Sequence, residues 1–301
     1  MKNQKQIFLS IIIVSFNTKN LLKSLLNSIP QKKEWEIFVV DNASSDGSAA
    51  MIKKDFPYCK LIENKENFGF ARANNQALSL SQAEYSLLLN SDTLVQDEAL
   101  DKLLSFVKKN PRLGIASCKL LNKDGTIQPQ GGYSPNLLRV FAWMFFIDDL
   151  PLINKFIKPY QLRNKSKFTR RLQLDWLSGT AMLIRRDLIK KIGLLNEGFF
   201  MYGEDLEYCL RCRQAGYQIA ITPEAEIKHL SHKSSAGNPV PAWIGEFKAI
   251  KKIYKDYYPE WQYNLLRLFL KIGALLRIII FGILQGRKVA YEGYKKAFQV
   301  A

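Results

Sequence analysis

The chain has 301 residues, 47% of them hydrophobic, which allows one large domain with a buried core or one domain and an appendage. Its formal net charge of +17 favours an anionic partner: nucleic acid, an acidic membrane surface or a phosphate-bearing substrate. Four cysteines do not make a disulfide framework in a chain this long, so we expect a reducing, cytoplasmic setting. Cys209 and Cys212 form a C-x-x-C motif, but they fall in a predicted helix without a second pair, which disfavours a zinc or redox site.

Strands and helices alternate in the first 119 residues. The short β-branched run at 7–16 has no small-residue cleavage site after it, so it predicts a first strand at 8–15 rather than a signal peptide. The next elements are expected, in chain order, as a helix at 18–29, a strand at 37–40, a helix ending near 56, a strand at 60–63, a helix at 70–80, a strand at 85–89 and a helix at 98–109. This order predicts an α/β fold with a mostly parallel sheet and helices on both faces.

Residues 120–172 break that alternation. They contain Gly131-Gly132, several prolines, an aromatic run at 141–146 and a basic stretch at 155–171. We expect a long excursion on the substrate side, which either touches a membrane or forms an apolar loop over the core. Order resumes near residue 175, and the elements expected from there are a strand at 181–185, a helix at 187–192, a helix at 204–215 and a strand at 217–221.

The tail after residue 235 is predicted to be helical and basic, so we divide the chain into a domain of residues 1–235 and a C-terminal helical region of residues 236–301. In the apolar stretch 263–284, the charged residues Arg267, Lys271 and Arg277 fall within a sector of about 120° at 100° per residue. Such a stripe is rare in a membrane-spanning helix and typical of a helix that lies in the membrane interface. The alternative is a helix whose apolar side packs on the domain or on a second subunit. The two interpretations are compatible if one face of the helix contacts the membrane and another face packs on protein.

An apolar strand that ends at Asn90-Ser91-Asp92-Thr93 is the most informative local pattern. A buried strand that ends in a carboxylate places a charge at the mouth of an α/β sheet, where ligands bind. A lone aspartate after a strand is often only a turn or helix-cap residue. The motifs before and after it therefore decide its interpretation.

Seven motifs occur in order along residues 8–235. They are residues 10–17 (SIIIVSFN), 39–48 (VVDNASSDGS), 64–75 (NKENFGFARANN), 88–92 (LLNSD), 176–183 (WLSGTAML), 199–205 (FFMYGED) and His229. With these motifs the chain resembles a family 2 glycosyltransferase, especially the rhamnosyltransferase-like branch that builds bacterial cell-surface polysaccharides. The resemblance implies a GT-A fold and an inverting transfer of rhamnose or a similar hexose from a dTDP- or UDP-linked donor to an acceptor hydroxyl.

The nucleotide should lie at the carboxyl ends of the first strands. Asp41 is suited to accept a hydrogen bond from a uracil or thymine N–H or from a ribose hydroxyl, although it also fits a turn. Backbone N–H groups at the entry to the helix near residue 70 can meet phosphate or ribose. The donor-binding residues expected in these two places are Ser15, Asn17, Asp41, Asn67, Gly69 and Arg72. Arg72 is equally able to pair with a surface acid.

Asp92 is expected to bind a divalent cation, Mg²⁺ or Mn²⁺, which stabilises the charge of the departing diphosphate. The family motif is often Asp-x-Asp, but Asn90 occupies the first position here. We expect Asn90 to be a further donor-binding residue, which can also reach the metal through its amide oxygen or a water, and we expect weaker metal binding than with two carboxylates. The resemblance implies His229 as a further ligand, against the alternative of an ordinary polar residue, and His232 is a weaker candidate.

The acid–base chemistry is expected at the start of the helix at 204–215. By resemblance, Asp205 is the base that deprotonates the acceptor hydroxyl, and Glu204 is its rival or orienting partner. The alternative is that both acids only offset the helix dipole. The aromatic approach at 199–203 favours a low-water site that raises the pKa of the carboxylate. Glu207 and Asn196 depart from the family pattern, and we infer no role for either.

Two residues before the strand at 181–185 complete the candidate site. Trp176 either stacks on a sugar face or packs in the core, and Gly179 allows a close backbone approach. The expected acceptor is a saccharide on a polyprenyl diphosphate, with the enzyme peripheral on the inner face of the cell membrane, because bilayer surface and lipid diphosphate are both anionic. As for the oligomeric state, the sequence is compatible with a homodimer.

The sequence disfavours two other functions. A nucleotidyltransferase normally needs a glycine-rich basic loop after the first strand, and residues 15–18 do not form one. A basic nucleic-acid-binding module would show a basic stripe with stacking aromatics, whereas the basic residues here concentrate beside apolar segments, so we expect no nucleic-acid partner.

Overall fold

The computed structural model describes residues 7–150, 156–230 and 238–301. These residues divide into two compact units. The first contains residues 7–130, 163–200 and 204–230, and the second contains residues 131–150, 156–162, 201–203 and 238–301. Residues 131–150 and 156–162 therefore group with the C-terminal helices. The boundary expected at 235/236 and the candidate His232 both lie outside the described residues.

A mixed sheet forms the centre of the first unit, and within the described residues it has ten strands. They are β1 Leu9–Ser15, β2 Trp35–Asp41, β3 Lys60–Glu63, β4 Tyr85–Leu89, β5 Thr93–Val95, β6 Leu113–Leu121, β7 Ile127–Gln128, β8 Leu172–Leu174, β9 Ala181–Arg185 and β10 Gln218–His229. The spatial order is β3-β2-β1-β4-β9-β6-β10-β5, with β7 beside β6 and β8 beside β10. β1 to β4 pair in parallel, as the alternating pattern predicts, while β9 is antiparallel to both of its neighbours.

Helices cover both faces of this sheet, which confirms the predicted α/β class. The helices of the first unit are α1 Lys19–Ser28, α2 Ser48–Asp55, α3 Gly69–Leu80, α4 Ala99–Lys108, α6 Arg186–Ile192 and α7 Glu204–Gln214. Ile11, Ile13 and Val39 share one buried cluster with the apolar residues of α1, α2 and α4. Because side chains alternate along a strand, the equally buried Ile12 and Val40 point to the other face, where α3 contacts β1 and β2.

The second unit is helical. It contains α5 Leu137–Met144, α8 Val240–Tyr257, α9 Glu260–Arg277, a π-helical segment at Ile278–Leu284 and α10 Lys288–Val300. The aromatic run at 141–146 belongs to its core: Trp143 is buried, and the Phe141 ring lies 5.2 Å from the Phe269 ring of α9. Among the described residues, no helix is both long enough and apolar enough to cross a bilayer.

Candidate active site

The carboxyl ends of β1 and β2 meet because these strands pair in parallel, with Ser15 opposite Asp41. The buried Ser15 hydroxyl lies 2.9 Å from the hydroxyl of Thr18, which donates to Ser91 at 2.9 Å. Asn17 has a left-handed backbone with φ 55°, and its side-chain oxygen accepts from the Ser45 N–H at 2.8 Å. A chain of polar contacts thus fixes the rim of the sheet from β1 to the loop that carries Asp92.

Asp41 is buried at the end of β2, with 3% of its surface exposed. Its Oδ2 accepts from the Ser44 N–H at 3.3 Å, so the turn role foreseen for this residue is present. Its Oδ1 is also buried, and in the described part of the chain it has no hydrogen-bond partner. A buried carboxylate oxygen without a partner carries a desolvation cost, which a ligand N–H or O–H would remove.

Sequence reasoning missed Asn42, which is 2% exposed and braces the donor-side loop. Its Nδ2 donates to Asn67 Oδ1 at 2.7 Å, and its Oδ1 accepts from the Phe68 N–H at 3.1 Å and from Asn64 Nδ2 at 3.0 Å. Asn67 Oδ1 also accepts from the Gly69 N–H at 2.9 Å. The Asn67 side chain, expected to bind the donor, therefore makes internal hydrogen bonds that shape the loop.

Gly69 begins α3 where two backbone segments touch. Its φ is +78°, and a Cβ added there would lie 2.2 Å from the Phe200 carbonyl oxygen. The Phe70 N–H donates to that same oxygen at 2.7 Å. The N–H groups of Gly69 and Phe70 thus have protein partners. Arg72 is exposed, and its guanidinium lies 3.9 Å from the centre of the Phe68 ring.

Asp92 and His229 lie together, as their expected role as metal ligands requires. β5 pairs with the end of β10, so the Leu230 N–H donates to the Asp92 carbonyl at 2.8 Å. His229 Nε2 lies 3.1 Å from Asp92 Oδ1, and Nδ1 lies 3.0 Å from Gln128 Oε1. Among the described residues no three His, Cys, Asp or Glu side chains form a metal-binding group, so the protein offers this pair. A carboxylate and an imidazole would hold Mn²⁺, and oxygens of a bound diphosphate and of water would complete its coordination.

The Asn90–Asp92 loop and the base candidate lie at the same edge of the sheet. β4 pairs with β9, and just beyond this pairing the Asn90 N–H donates to the Thr180 carbonyl at 3.0 Å. The preceding residue, Gly179, donates its N–H to Asp205 Oδ2 at 2.9 Å. A Cβ at Gly179 would lie 3.2 Å from the Phe70 ring, so the glycine permits this close approach. Trp176 is only partly buried, so it is not a core residue.

Glu204 and Asp205 have different surroundings at the start of α7. Asp205 Oδ1 accepts from the Leu206 N–H at 2.7 Å. Glu204 is 5% exposed, and its Oε2 has no hydrogen-bond partner in the part of the chain that the structure describes. Burial, reinforced by the nearby Asp205 charge, raises the pKa of Glu204 to about 8. Of the aromatic approach, Phe199 is buried and Phe200 is 61% exposed.

Two residues without an assigned role hold the segment before α7. Glu207 is 1% exposed and makes two hydrogen bonds with Arg211, at 2.7 and 2.9 Å. Arg211 also donates to the carbonyl of Leu194 at 2.8 Å. Asn196 accepts from the Gly198 N–H at 2.9 Å, so it shapes a turn. The sequence does contain a signal for the Glu207–Arg211 pair, because a basic residue stands four positions after an acidic one on the same helix.

The cysteines are free thiols. Cys209 and Cys212 lie inside α7, as expected, and both are buried. Burial raises the pKa of Cys212 to about 12, which makes a thiolate at neutral pH rare.

The chain matches the model of one protein family and is similar to several known proteins. The model of the family "Glycosyl transferase family 2" matches residues 10–193. The chain is 24% identical over 282 residues to the N-acetylglucosaminyl-diphospho-decaprenol L-rhamnosyltransferase of Mycobacterium tuberculosis strain H37Rv, covering 89% of this chain and 91% of that one. It is 25% identical over 240 residues to the rhamnosyltransferase WbbL of Escherichia coli strain K12, covering 74% and 83%.

Among solved structures, a mannosyltransferase from Pyrobaculum calidifontis in complex with GDP-Man and Mn²⁺ matches with a TM-score of 0.59 at 14% identity. The match covers 99% of this chain and 86% of that one. At this identity the match shows the fold, and it agrees with the mixed sheet described above.

Proposed function

Because the chain belongs to glycosyl transferase family 2 and is a hexosyltransferase, we propose that it moves rhamnose or a related hexose from a dTDP- or UDP-linked donor to a lipid-linked saccharide. One observation carries the proposal: the pairing of β4 with β9 brings the Asn90–Asp92 loop and the Gly179–Asp205 contact to one edge of the sheet. The charge of a departing diphosphate and the proton of an attacking hydroxyl need opposite sides of one small site. This edge can supply both.

The donor nucleotide lies at the ends of β1 and β2 in this proposal. The buried Oδ1 of Asp41, which has no hydrogen-bond partner among the described residues, supports it, because a pyrimidine N–H or a ribose hydroxyl would satisfy that oxygen. Ser15 and Asn17 border the same rim. Asn42 and Asn67 hold the loop above it, so we assign them to positioning rather than to direct contact.

Asp92 and His229 would hold a divalent cation, with Asn90 beside them. When bound, such a cation stabilises the negative charge that develops on the diphosphate as the glycosidic bond breaks. The pair is well placed for this because the β5–β10 backbone contact fixes the spacing of the two side chains. A single carboxylate should make binding weaker than with two.

Asp205 is the base that we propose for the acceptor hydroxyl. The N–H groups of Gly179 and Leu206 orient its two oxygens. The hydroxyl oxygen forms the new bond to the anomeric carbon while its proton passes to Asp205, and the bond to the diphosphate breaks on the opposite side of that carbon, which inverts it. The high pKa of Glu204 leaves it mostly protonated at pH 7, so it is suited to orient its neighbour and not to accept the proton.

The acceptor is proposed to be a saccharide on a polyprenyl diphosphate, with the enzyme peripheral on the inner face of the cell membrane. The name of the mycobacterial relative, which specifies a decaprenol-linked diphospho-sugar, supports this acceptor class. The net charge of +17 supports an anionic surface as its setting.

Donor screening tests the proposal. Purified protein is incubated with a water-soluble, short-chain analogue of a polyprenyl-diphosphate-linked saccharide as acceptor and with dTDP-rhamnose, UDP-hexoses or GDP-mannose as donor. Each donor is tested with and without Mn²⁺ or Mg²⁺, and the release of nucleoside diphosphate is measured. We expect one pyrimidine donor to dominate and chelation to abolish its turnover. Asp205→Asn should lower the rate at least 100-fold while donor binding, measured by calorimetry, changes less than threefold. An Asp205→Asn enzyme with full turnover would remove the base assignment.

A further inference from the structure

α9 and the π-helical segment after it expose a continuous apolar stripe. Its members recur every three, four or seven positions, so they share one face. At 100° per residue, the four central ones lie within about 60°. We define the α9 stripe as Trp261, Leu268, Ile272, Leu275, Ile279 and Ile283, each between 36% and 62% exposed. Over these residues a helix is about 33 Å long.

The opposite face of α9 already packs within the second unit. Leu266, Leu270 and Ala274 are fully buried there. A side chain at Gly273 would collide with Met144, because its Cβ would lie 2.5 Å from the Met144 sulfur. Within the described part of the chain, the packing that holds α9 in place therefore leaves the α9 stripe exposed.

The charged sector of α9 faces inward, contrary to its expected place on the polar side of an interfacial helix. Arg277 is 4% exposed and donates to the carbonyls of Met144 and Trp143, each at 2.8 Å. Arg267 Nε donates to the Ala301 carbonyl at 3.2 Å, and the Lys271 ammonium lies 5.9 Å from the centre of the Phe298 ring. The sequence gives these residues the right common sector, but α5 and α10 take up their charges, so the outward face is apolar.

This arrangement reverses an ordinary surface helix, which turns charges to water and apolar side chains to the protein. The chain around the α9 stripe is predominantly basic. No acidic residue occurs between Glu260 and Glu292, and residues 240–301 contain eleven Lys and Arg against four Asp and Glu. Arg287 and Lys288, which are separated from the end of the π-helical segment by two residues, are exposed. An apolar strip beside exposed cations complements a bilayer with anionic headgroups.

We propose that the α9 stripe inserts into the headgroup region of an anionic bilayer, with α9 parallel to the membrane plane. The buried arginine on the other side of the helix excludes a spanning orientation, because the helix would have to leave its own unit to cross. This inference rests on the proposed lipid-linked acceptor, since it explains how the enzyme stays at the surface that carries it. It assigns the membrane contact to named side chains.

Vesicle flotation tests the assignment. Full-length protein is mixed with vesicles of 7:3 phosphatidylcholine to phosphatidylglycerol and with pure phosphatidylcholine vesicles. We expect binding to the anionic vesicles, and we expect Leu268→Gln with Leu275→Gln to weaken it at least tenfold. Arg287→Gln with Lys288→Gln should weaken it on anionic vesicles only. Leu80→Gln is the matched control, since Leu80 is 58% exposed on α3 of the first unit and should bind like the wild type.

Three outcomes would overturn the inference. The first is wild-type protein that binds neither vesicle, and the second is a stripe variant that binds as tightly as the wild type. The third is a stripe variant that changes a lipid-free dimer into a monomer, by sedimentation velocity, without changing vesicle binding; a second copy would then cover the α9 stripe. Nucleoside-diphosphate release is measured in parallel without vesicles, with the donor and the water-soluble acceptor analogue both present, so that vesicle binding without any transfer activity would refute the proposed function and leave the membrane contact intact.

Discussion

The buried carboxyl of Glu204 makes the stability of this protein depend on pH in a direction that one substitution can test. Burial and the Asp205 charge raise its pKa from 4.5 to about 8. Between these two values the folded protein keeps a proton that the unfolded chain has released. Glu204→Gln removes the ionisation and keeps the size of the side chain, so it should abolish this part of the pH dependence.

The sign and size follow from proton linkage. Because the folded state binds more protons than the unfolded state above pH 4.5, the free energy of unfolding falls as the pH rises, and the loss ends near pH 8. One pKa unit corresponds to about 1.4 kcal/mol, so the full shift corresponds to on the order of 5 kcal/mol. Glu204→Gln should match the wild type within about 1 kcal/mol at pH 4.5 and exceed it by several kcal/mol at pH 8.5.

Urea unfolding followed by circular dichroism at half-unit steps from pH 4.5 to 8.5 measures the difference. Glu224→Gln is the control, because Glu224 is an exposed carboxylate in the same unit and its substitution should shift the curve by less than about 0.5 kcal/mol at every pH. Parallel curves for the wild type and Glu204→Gln across this range would refute the protonated state assigned to Glu204.

Three further predictions concern the backbone contact, the buried ion pair and the metal. Gly69→Ala should cost at least about 3 kcal/mol in urea unfolding and slow transfer, because the new Cβ collides with a carbonyl; Gly125→Ala, with φ +83° and open space, should cost only about 1–2 kcal/mol. Glu207→Ala removes the carboxylate partner of the partly buried Arg211, which keeps only its carbonyl acceptors, and should cost about 2–3 kcal/mol, against less than about 1 kcal/mol for Asp256→Ala in a more exposed pair, with equal losses contradicting the assignment. His229→Ala should weaken Mn²⁺ binding at least tenfold, measured by calorimetry in the presence of nucleoside diphosphate, and unchanged binding would exclude it as a ligand.

The sequence predicts those elements whose hydrophobic pattern is local. β3 and β4 have the predicted bounds, and β9 does as well. β6 was not predicted, although all but one of its nine residues are buried, because a continuous apolar run does not distinguish a central strand from a buried helix segment. β5 was also missed, since a three-residue strand depends on its antiparallel pairing with β10, more than 130 positions away.

For the candidate site, the sequence likewise predicts residues but not the contacts between them. The motifs identify Asp41, Asp92 and Asp205 as residue types in a known order, and the structure brings two of them to one edge through Thr180 and Gly179. The internal partners of the neighbouring amides could not be inferred, because an asparagine donates and accepts equally well toward protein or ligand. The inward direction of the charged sector on α9 was equally inaccessible, since periodicity fixes which residues share a face but not what packs against that face.

Within the first unit, α3 connects the proposed donor-side loop to the segment that precedes the proposed base, Asp205. At its start, Gly69 and the next N–H contact the Phe200 carbonyl, five residues before Asp205. One turn and a half further along, the side chain of Asn75 donates to the Leu195 carbonyl at 2.9 Å and accepts from the Leu195 N–H at 3.0 Å. The helix that begins after the proposed donor-side loop therefore holds the segment that precedes the proposed base, Asp205, at two points. An inverting transfer requires a fixed distance between diphosphate and base. A rigid helix fastened at both places is a direct way to keep it.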